Sequence, residues 1–202
     1  MKLRKAVKED CADIARLFLI SSDGLAEYIW SKVAEPGETV IETGTRRYVR
    51  EGEIFSFENC LIAEHDGAIV GMAHSYTMEK VPDANSNSDP ILAPYSALED
   101  YGSLYLSGVA VYAQYLKTGI GTALMGAVIQ RAKDLTLPRI SLVCFERNEG
   151  AMRLYQQLGF RELARRPLVP HPTLRYRDGD AVLLARESYT GNTDVSYTHH
   201  VQ

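Results

Sequence analysis

Gly119 and Gly121 stand in the stretch YLKTGIGTALMGAVIQRA, directly before an apolar run at helical spacing made of Ile120, Leu124, Val128 and Ala132. A strand that feeds a glycine turn and then a helix leaves the first helical N–H groups without partners. Those groups and the helix dipole favour an anion. Glycine supplies positive φ and removes the Cβ that would hold a ligand away. The chemistry on offer is phosphate binding. Taken alone, the same pattern serves equally well as a tight turn that packs a helix on a strand. Two common nucleotide loops do not fit. A dinucleotide fold wants a third glycine where Leu124 stands, and an acid at the tip of the next strand, where RISLVCF runs on without one until Glu146. The G-K-[ST] of a P-loop is absent.

A second constellation follows. In NEGAMRLYQQLGF, Asn148 is placed to cap a helix whose apolar face is Ala151, Leu154, Tyr155 and Leu158, and Gly159 is placed to stop it. Before the glycines, LYLSGVAVY reads as a strand with a break in phase. Leu104 and Leu106 share one face, whereas Val109 and Val111 fall on the other parity, with the switch at Ser107-Gly108. A period-2 pattern that slips by one residue beside a glycine marks a β-bulge or splay, unless both faces are buried and the alternation carries no information.

The elements that must position these residues are legible in outline. KLRKAV reads as a first strand, and KEDCADIARLF as a helix with Ile14, Leu17 and Phe18 on one face. GLAEYIWSKVA and IETGTRRYVRE read as short helices joined by EPGET. NCLIAEHDGAIVGMAHSYTM is a hairpin turning at Asp66-Gly67. Residues 81–103 form a long loop or insertion rich in Pro, Asn, Ser and Asp. RISLVCF is a buried strand, and ARRPLVPHPTLRYRDGDAVLLAR predicts two more, turning near Asp178-Gly179. Residues 189–202 have no periodicity and read as a C-terminal extension. One domain over residues 1–188 is expected.

Composition narrows the classes. With 202 residues, 46% of them hydrophobic, the chain can bury a full core. A net charge of −4 provides no basic field for nucleic acid. The three cysteines, Cys11, Cys60 and Cys144, lie far apart, which argues against a disulfide framework and a thiolate metal site. No apolar run reaches membrane-spanning length, and acids interrupt the N-terminus, so no signal peptide is expected. A cytoplasmic protein with no membrane, nucleic-acid or metal partner is the expectation.

The two motifs together resemble the GCN5-related N-acetyltransferase (GNAT) superfamily, which carries a splayed strand, a [QR]-x-x-G-x-[GA] loop opening a helix, a strand, and an N-x-x-A-x-x-x-Y-x-x-x-G-F element. Asn148, Ala151, Tyr155, Gly159 and Phe160 match the last element at every spacing, and the resemblance spans about residues 104–160. Leu116 departs from it, standing where the family has Gln or Arg. The resemblance implies an α/β fold with a central mixed, mostly antiparallel β-sheet, splayed strands and flanking helices. It implies acetyl-CoA as co-substrate, with its pyrophosphate on the loop of Leu116, Lys117, Thr118, Gly119, Ile120, Gly121 and Thr122. The pantetheine arm would lie along Val109, Ala110 and Val111, with a further contact from Asn148. It implies direct acetyl transfer to a small-molecule or peptide amine, with Tyr155 as general acid to the leaving thiolate; apart from the motif, Tyr155 reads as a core aromatic. A non-catalytic acyl-CoA-binding domain on the same fold is the alternative, and a homodimer is compatible with either. Candidate bases are Glu27, Glu64, His74, Glu79, Glu99, Asp100, Tyr105 and His171, or a water relay. Tyr28, Trp30 and Tyr95, with acids including Asp83 and Asp89, would form the acceptor wall.

Overall fold

A computed structural model describes residues 1–80 and 89–189. Asp83, the first part of the 81–103 loop and residues 190–202 of the expected extension lie outside the described residues. The strands are β1 (Lys2–Lys5), β2 (Cys60–His65), β3 (Ala68–Thr77), β4 (Leu104–Val111), β5 (Arg139–Phe145), β6 (Arg161–Pro167) and β7 (Asp180–Glu187). The helices are α1 (Cys11–Ser21), α2 (Leu25–Val33), α3 (Val40–Tyr48), the single turn α4 (Ala93–Ser96), α5 (Ile120–Asp134) and α6 (Glu149–Gln157). The strands form one seven-stranded sheet in the order β1-β2-β3-β4-β5-β7-β6. Every pairing is antiparallel except β4 with β5. This is the mixed, mostly antiparallel sheet that the family resemblance implies.

Local chemistry accounts for the boundaries. Asp66 and Gly67 both take positive φ (50° and 76°), the geometry a two-residue hairpin turn requires. Thr39 and Glu42 form a reciprocal capping box that starts α3. The Asn148 side chain accepts the Ala151 N–H at 3.2 Å and starts α6. Gly159, at φ 85°, ends it, and the Phe160 N–H closes back on the Tyr155 carbonyl at 2.9 Å. That closure delivers the chain straight into β6. The strand therefore begins at Arg161, three residues before the stretch read as strand from sequence, and residues 168–179 form the connection to β7.

Two of the three buried clusters cover opposite faces of the sheet, and the third gathers Tyr28, Leu98, Phe145, Leu174 and Leu183. Leu104, Leu106, Leu124, Val128, Ile140, Leu142, Tyr155 and Phe160 bury one face beneath α5 and α6. Ile14, Leu17, Phe18, Trp30, Tyr48, Ile62, Met72 and Ala110 bury the other beneath α1, α2 and α3. The phase slip in β4 is a bulge. Ser75 of β3 faces Leu106 and His74 faces Gly108, which leaves Ser107 as the extra residue. Before the bulge, Leu104 and Leu106 enter the α5–α6 core. After it, Val109 and Val111 pack there, while Ala110 turns to the opposite core. A Cβ on Gly108 would lie 2.5 Å from Ser21 Oγ and 3.0 Å from the Phe18 ring, so this position faces α1.

His74 holds the bulge. Its ring is fully buried among Phe18, Tyr48 and Phe55. Nε2 donates to the Ile54 carbonyl at 3.0 Å, which leaves Nδ1 to accept the Ser107 hydroxyl. Burial, assisted by the Arg131 charge, pushes the His74 pKa down to about 4 against the raising effect of the Ile54 bond. The imidazole is therefore neutral at physiological pH.

Two predictions follow from the packing and one buried group. A Cβ on Gly24, at φ 96°, would sit 1.9 Å from the Thr173 carbonyl oxygen, whereas one on Gly126, inside α5, would meet nothing within 4 Å. Gly24→Ala should lower the unfolding free energy by more than about 2 kcal/mol, and Gly126→Ala should raise it by roughly 0.5–1 kcal/mol, both read by urea denaturation. The depressed His74 pKa adds stability that is complete above the unfolded value of about 6.5 and is lost as pH falls toward 4, at most about 3 kcal/mol. Denaturation between pH 7 and 4.5 should show this slope in the wild type and a much flatter one in His74→Asn.

Candidate active site

β4 and β5 pair only at Leu104–Ile140 and Tyr105–Ser141, although both strands run on. Beyond that point no ladder joins them, and a cleft of about 560 Å³ opens between their ends. Its floor is Tyr105, Ser107, Val109, Ala110 and Val111 of β4 and Val143, Cys144 and Phe145 of β5. Asn148, Ala151 and Tyr155 form one wall. Phe18, Ser21, Asp23, Ala26 and Trp30, from α1, α2 and their link, form another. Arg47, Phe55, Tyr76, Tyr95 and Glu99 line the cleft as well.

The structure thus brings together Val109, Ala110, Val111, Leu116, Asn148 and Tyr155. Lys117, Thr118, Gly119, Ile120, Gly121 and Thr122 do not line the cleft. They make the turn and first helical residues beside it, where the missing Cβ of Gly121 faces Val111 Cγ2 at 3.9 Å. Lys117 and Gly119 take left-handed φ of 62° and 86°. The Thr118 hydroxyl donates to the Tyr115 carbonyl at 2.6 Å, and the Ala123 N–H donates to the Gly119 carbonyl at 2.9 Å. The N–H groups of Ile120, Gly121 and Thr122 precede that bond and have no carbonyl within the helix. The Ile120 side chain is buried in the core, so only its main chain is left for a ligand. Leu116 is 59% exposed, an apolar side chain at the mouth. A free row of amides at a helix N-terminus, with no side chain crowding it, fits a pyrophosphate.

Tyr155 is buried at the cleft wall, edge-on to Phe160 at 5.7 Å. Burial first, then Cys144 and the Asp23 charge, push its phenol well above the ordinary tyrosine value, so it is protonated throughout the physiological range. Asp23 was not singled out in the sequence. It sits at φ 47° in the α1–α2 link, with its side chain 8% exposed. The Asn148 amide donates to it at 3.0 Å, and Arg175 lies 3.6 Å away. Desolvation raises its pKa against the lowering effects of Asn148 and Arg175. The only sequence signal was Asp-Gly between two helices, which reads as a turn. Arg47 and Phe55 were missed for the same kind of reason, lying in a polar stretch whose tertiary placement carries the information.

The base candidates separate cleanly. Tyr105 and Glu99 line the cleft. Glu64 is paired with Arg4 at 2.8 Å on β2, and Asp100 is buried in an ion pair with Arg139. Glu27 and Glu79 lie outside the cleft. His171 bonds Thr173 at 2.9 Å and packs on Tyr28. His74 reaches the cleft only through Ser107. Of the expected acceptor wall, Trp30 and Tyr95 line the cleft, whereas the Tyr28 hydroxyl is engaged by Asp89 at 2.9 Å. Among the described residues no cluster of His, Cys, Asp and Glu is arranged to hold a metal, and no helix is long and apolar enough to cross a membrane.

Comparison with known proteins agrees with this geometry. The chain is 33% identical over 118 residues to a mycothiol acetyltransferase of Parafrankia sp., covering 57% of this chain and 35% of that one. It is 33% identical over 126 residues to an N-alpha-acetyltransferase of Sulfurisphaera tokodaii, covering 61% and 66%. The chain therefore spans about a third and just under two thirds of these curated relatives. The structure of yncA from Salmonella typhimurium, solved with its cofactor acetyl-CoA, superposes with a TM-score of 0.61 at 18% identity, over 95% of each chain. Residues 27–160 match the model of the Acetyltransferase (GNAT) family, and with the splayed β4–β5 pair and the amide turn before α5, the chain belongs to that family.

Proposed function

We propose that this protein transfers the acetyl group of acetyl-CoA to a primary amine, with residues 1–188 working as one cytoplasmic domain. The observation that carries this reading is the parting of β4 from β5 after Tyr105, which opens the cleft beside Asn148 and Tyr155. The thioester, when bound, supplies an electrophilic acetyl carbonyl. The pyrophosphate rests on the amides of residues 117–122, where Leu116 adds no charge and the main chain does the binding. The backbone of Val109, Ala110 and Val111 pairs with the extended pantetheine arm as a neighbouring strand would. An N–H near Val109 polarises the carbonyl.

The acceptor nitrogen attacks only when neutral, and alkylammonium groups have pKa values near 10.4. Asp23, a buried carboxylate whose pKa is raised, takes the proton directly or through a water. The C–N bond then forms as the C–S bond breaks, and the surplus proton on the acylated nitrogen is released to solvent. Tyr155 donates its proton to the sulfur and is reprotonated from solvent. A phenol is a weaker acid than a thiol in water, so this transfer needs the dry site, where the thiolate is destabilised too.

Release of free thiol from acetyl-CoA over an amine panel tests the proposal. Tyr155→Phe should lower kcat by roughly 10²-fold and leave acetyl-CoA binding within about twofold. Gly121→Val should raise the KM for acetyl-CoA at least about tenfold, because the added side chain presses on Val111 and pushes the amide turn away from β4. Asp23→Asn should remove the acidic limb of the kcat/KM profile. Acetyl-CoA binding without turnover, unchanged in Tyr155→Phe, would identify a non-catalytic binding domain instead.

A further inference from the structure

The charged groups around the cleft are unequally satisfied. Asp23 has Asn148 and Arg175, and Glu99 has the Tyr101 hydroxyl. Arg47 is the exception. It lies in the last turn of α3 and lines the cleft that β4 also lines. Its Nε is buried without a hydrogen-bond partner, and among the described residues it makes no ion pair. Its one contact of note is the face of Phe55, 6.0 Å from the guanidinium carbon. Neighbouring cations make the position worse, since burial first, then Arg50 and Arg46, disfavour its charge against the opposing effects of Tyr48 and Glu53. Arg46, one residue earlier, is fully engaged by Glu38 at 2.8 Å. The same helix therefore carries one committed arginine and one that faces the cleft uncommitted.

A guanidinium cannot shed its charge, so burying it without an anion is costly unless a ligand supplies one. Its planar donor fork matches a carboxylate. Much of the lining that Arg47 shares with β4 is aromatic, with Phe55, Tyr76, Tyr105 and Trp30 all on the cleft. The carboxylates on the cleft, Asp23 and Glu99, suit an ammonium. We infer that the acceptor is a small amine that also carries a carboxylate, an amino acid with an apolar body. Its carboxylate is held by Arg47, and its amine is directed to the open end of β4. This rests on the acetyl-transfer reading and adds the acceptor class to it. It sets the cleft apart from one built for a peptide N-terminus, whose α-carboxyl is consumed in an amide bond.

The test uses apolar amino acids of increasing amine-to-carboxylate separation, beginning with L-phenylalanine, each assayed beside its primary amide. At least one acid should be acetylated with kcat/KM about tenfold or more above its amide. Arg47→Gln should erase that preference through KM while leaving the amide's constants and acetyl-CoA binding within about twofold, and Arg47→Lys should restore part of it. The inference is overturned if every amide matches or exceeds its acid, or if Arg47→Gln depresses acid and amide alike. If no amine of any kind releases thiol, acetyl transfer itself fails. Binding of the same acids and amides to the CoA-loaded protein then decides this inference alone: Arg47-dependent preference for the acids supports it, and equal binding overturns it.

Discussion

A strand inside a sheet must place every backbone N–H and C=O, and the architecture here turns on where β4 places its own. Up to Tyr105 it is paired on both sides, with β3 and β5. One extra residue, Ser107, then shifts the register, and the edge toward β5 is released. Such an opening is unstable in isolation, because a bulged strand can slip back into register. Here the slip is blocked from three directions. The Ser107 hydroxyl is tied to the buried His74 ring. Gly108 is pressed against Phe18 and Ser21, where no side chain fits. Arg131 of α5 donates to the carbonyl and hydroxyl of Ser75, the β3 residue at the register shift, at 2.9 and 3.2 Å.

The same helix links the opening to the amide row before α5. At its N-terminus α5 sets Gly121 against Val111, and three turns later it pins Ser75 through Arg131. The amide row and the bulge are thus positioned by a single rigid body. A shift of α5 would move both, which is a physical reason for the short spacing between strand and glycine turn. Asn148 does comparable work on the other wall, where one side chain caps α6 with its oxygen and holds Asp23 with its nitrogen. Tyr155 lies two turns further along the helix that this cap starts.

Much of this was legible in the chain. The hairpin at Asp66-Gly67, the cap at Asn148, the stop at Gly159 and the apolar faces of α5 and α6 are local effects, set by a few neighbouring residues. Even the bulge could be read, because it moves whole side chains from one core to the other. Leu104 and Leu106 pair with Val109 and Val111 only if a residue is skipped. What stayed hidden is everything decided across the fold. Asp23 is an ordinary turn residue until Asn148, 125 positions away, donates to it. His171 looks like a candidate base until Thr173 and Tyr28 occupy its ring. Glu64 and Asp100 resemble Glu99 in sequence, and only their arginine partners separate them.

Leu116 shows how a departure from a family pattern is absorbed. A Gln or Arg there would bring hydrogen-bond donors toward a phosphate, and an exposed leucine brings none. The turn nevertheless holds two residues, Lys117 and Gly119, in the left-handed region, and left-handed residues fan successive amides toward one point. For lysine this conformation is uphill, and it persists because the Thr118 side chain and the start of α5 fix the chain on either side. The peptide dipoles of this turn are ones that no substitution at Leu116 removes. The side chain is left largely exposed at the mouth of the cleft, an apolar group that adds no charge there.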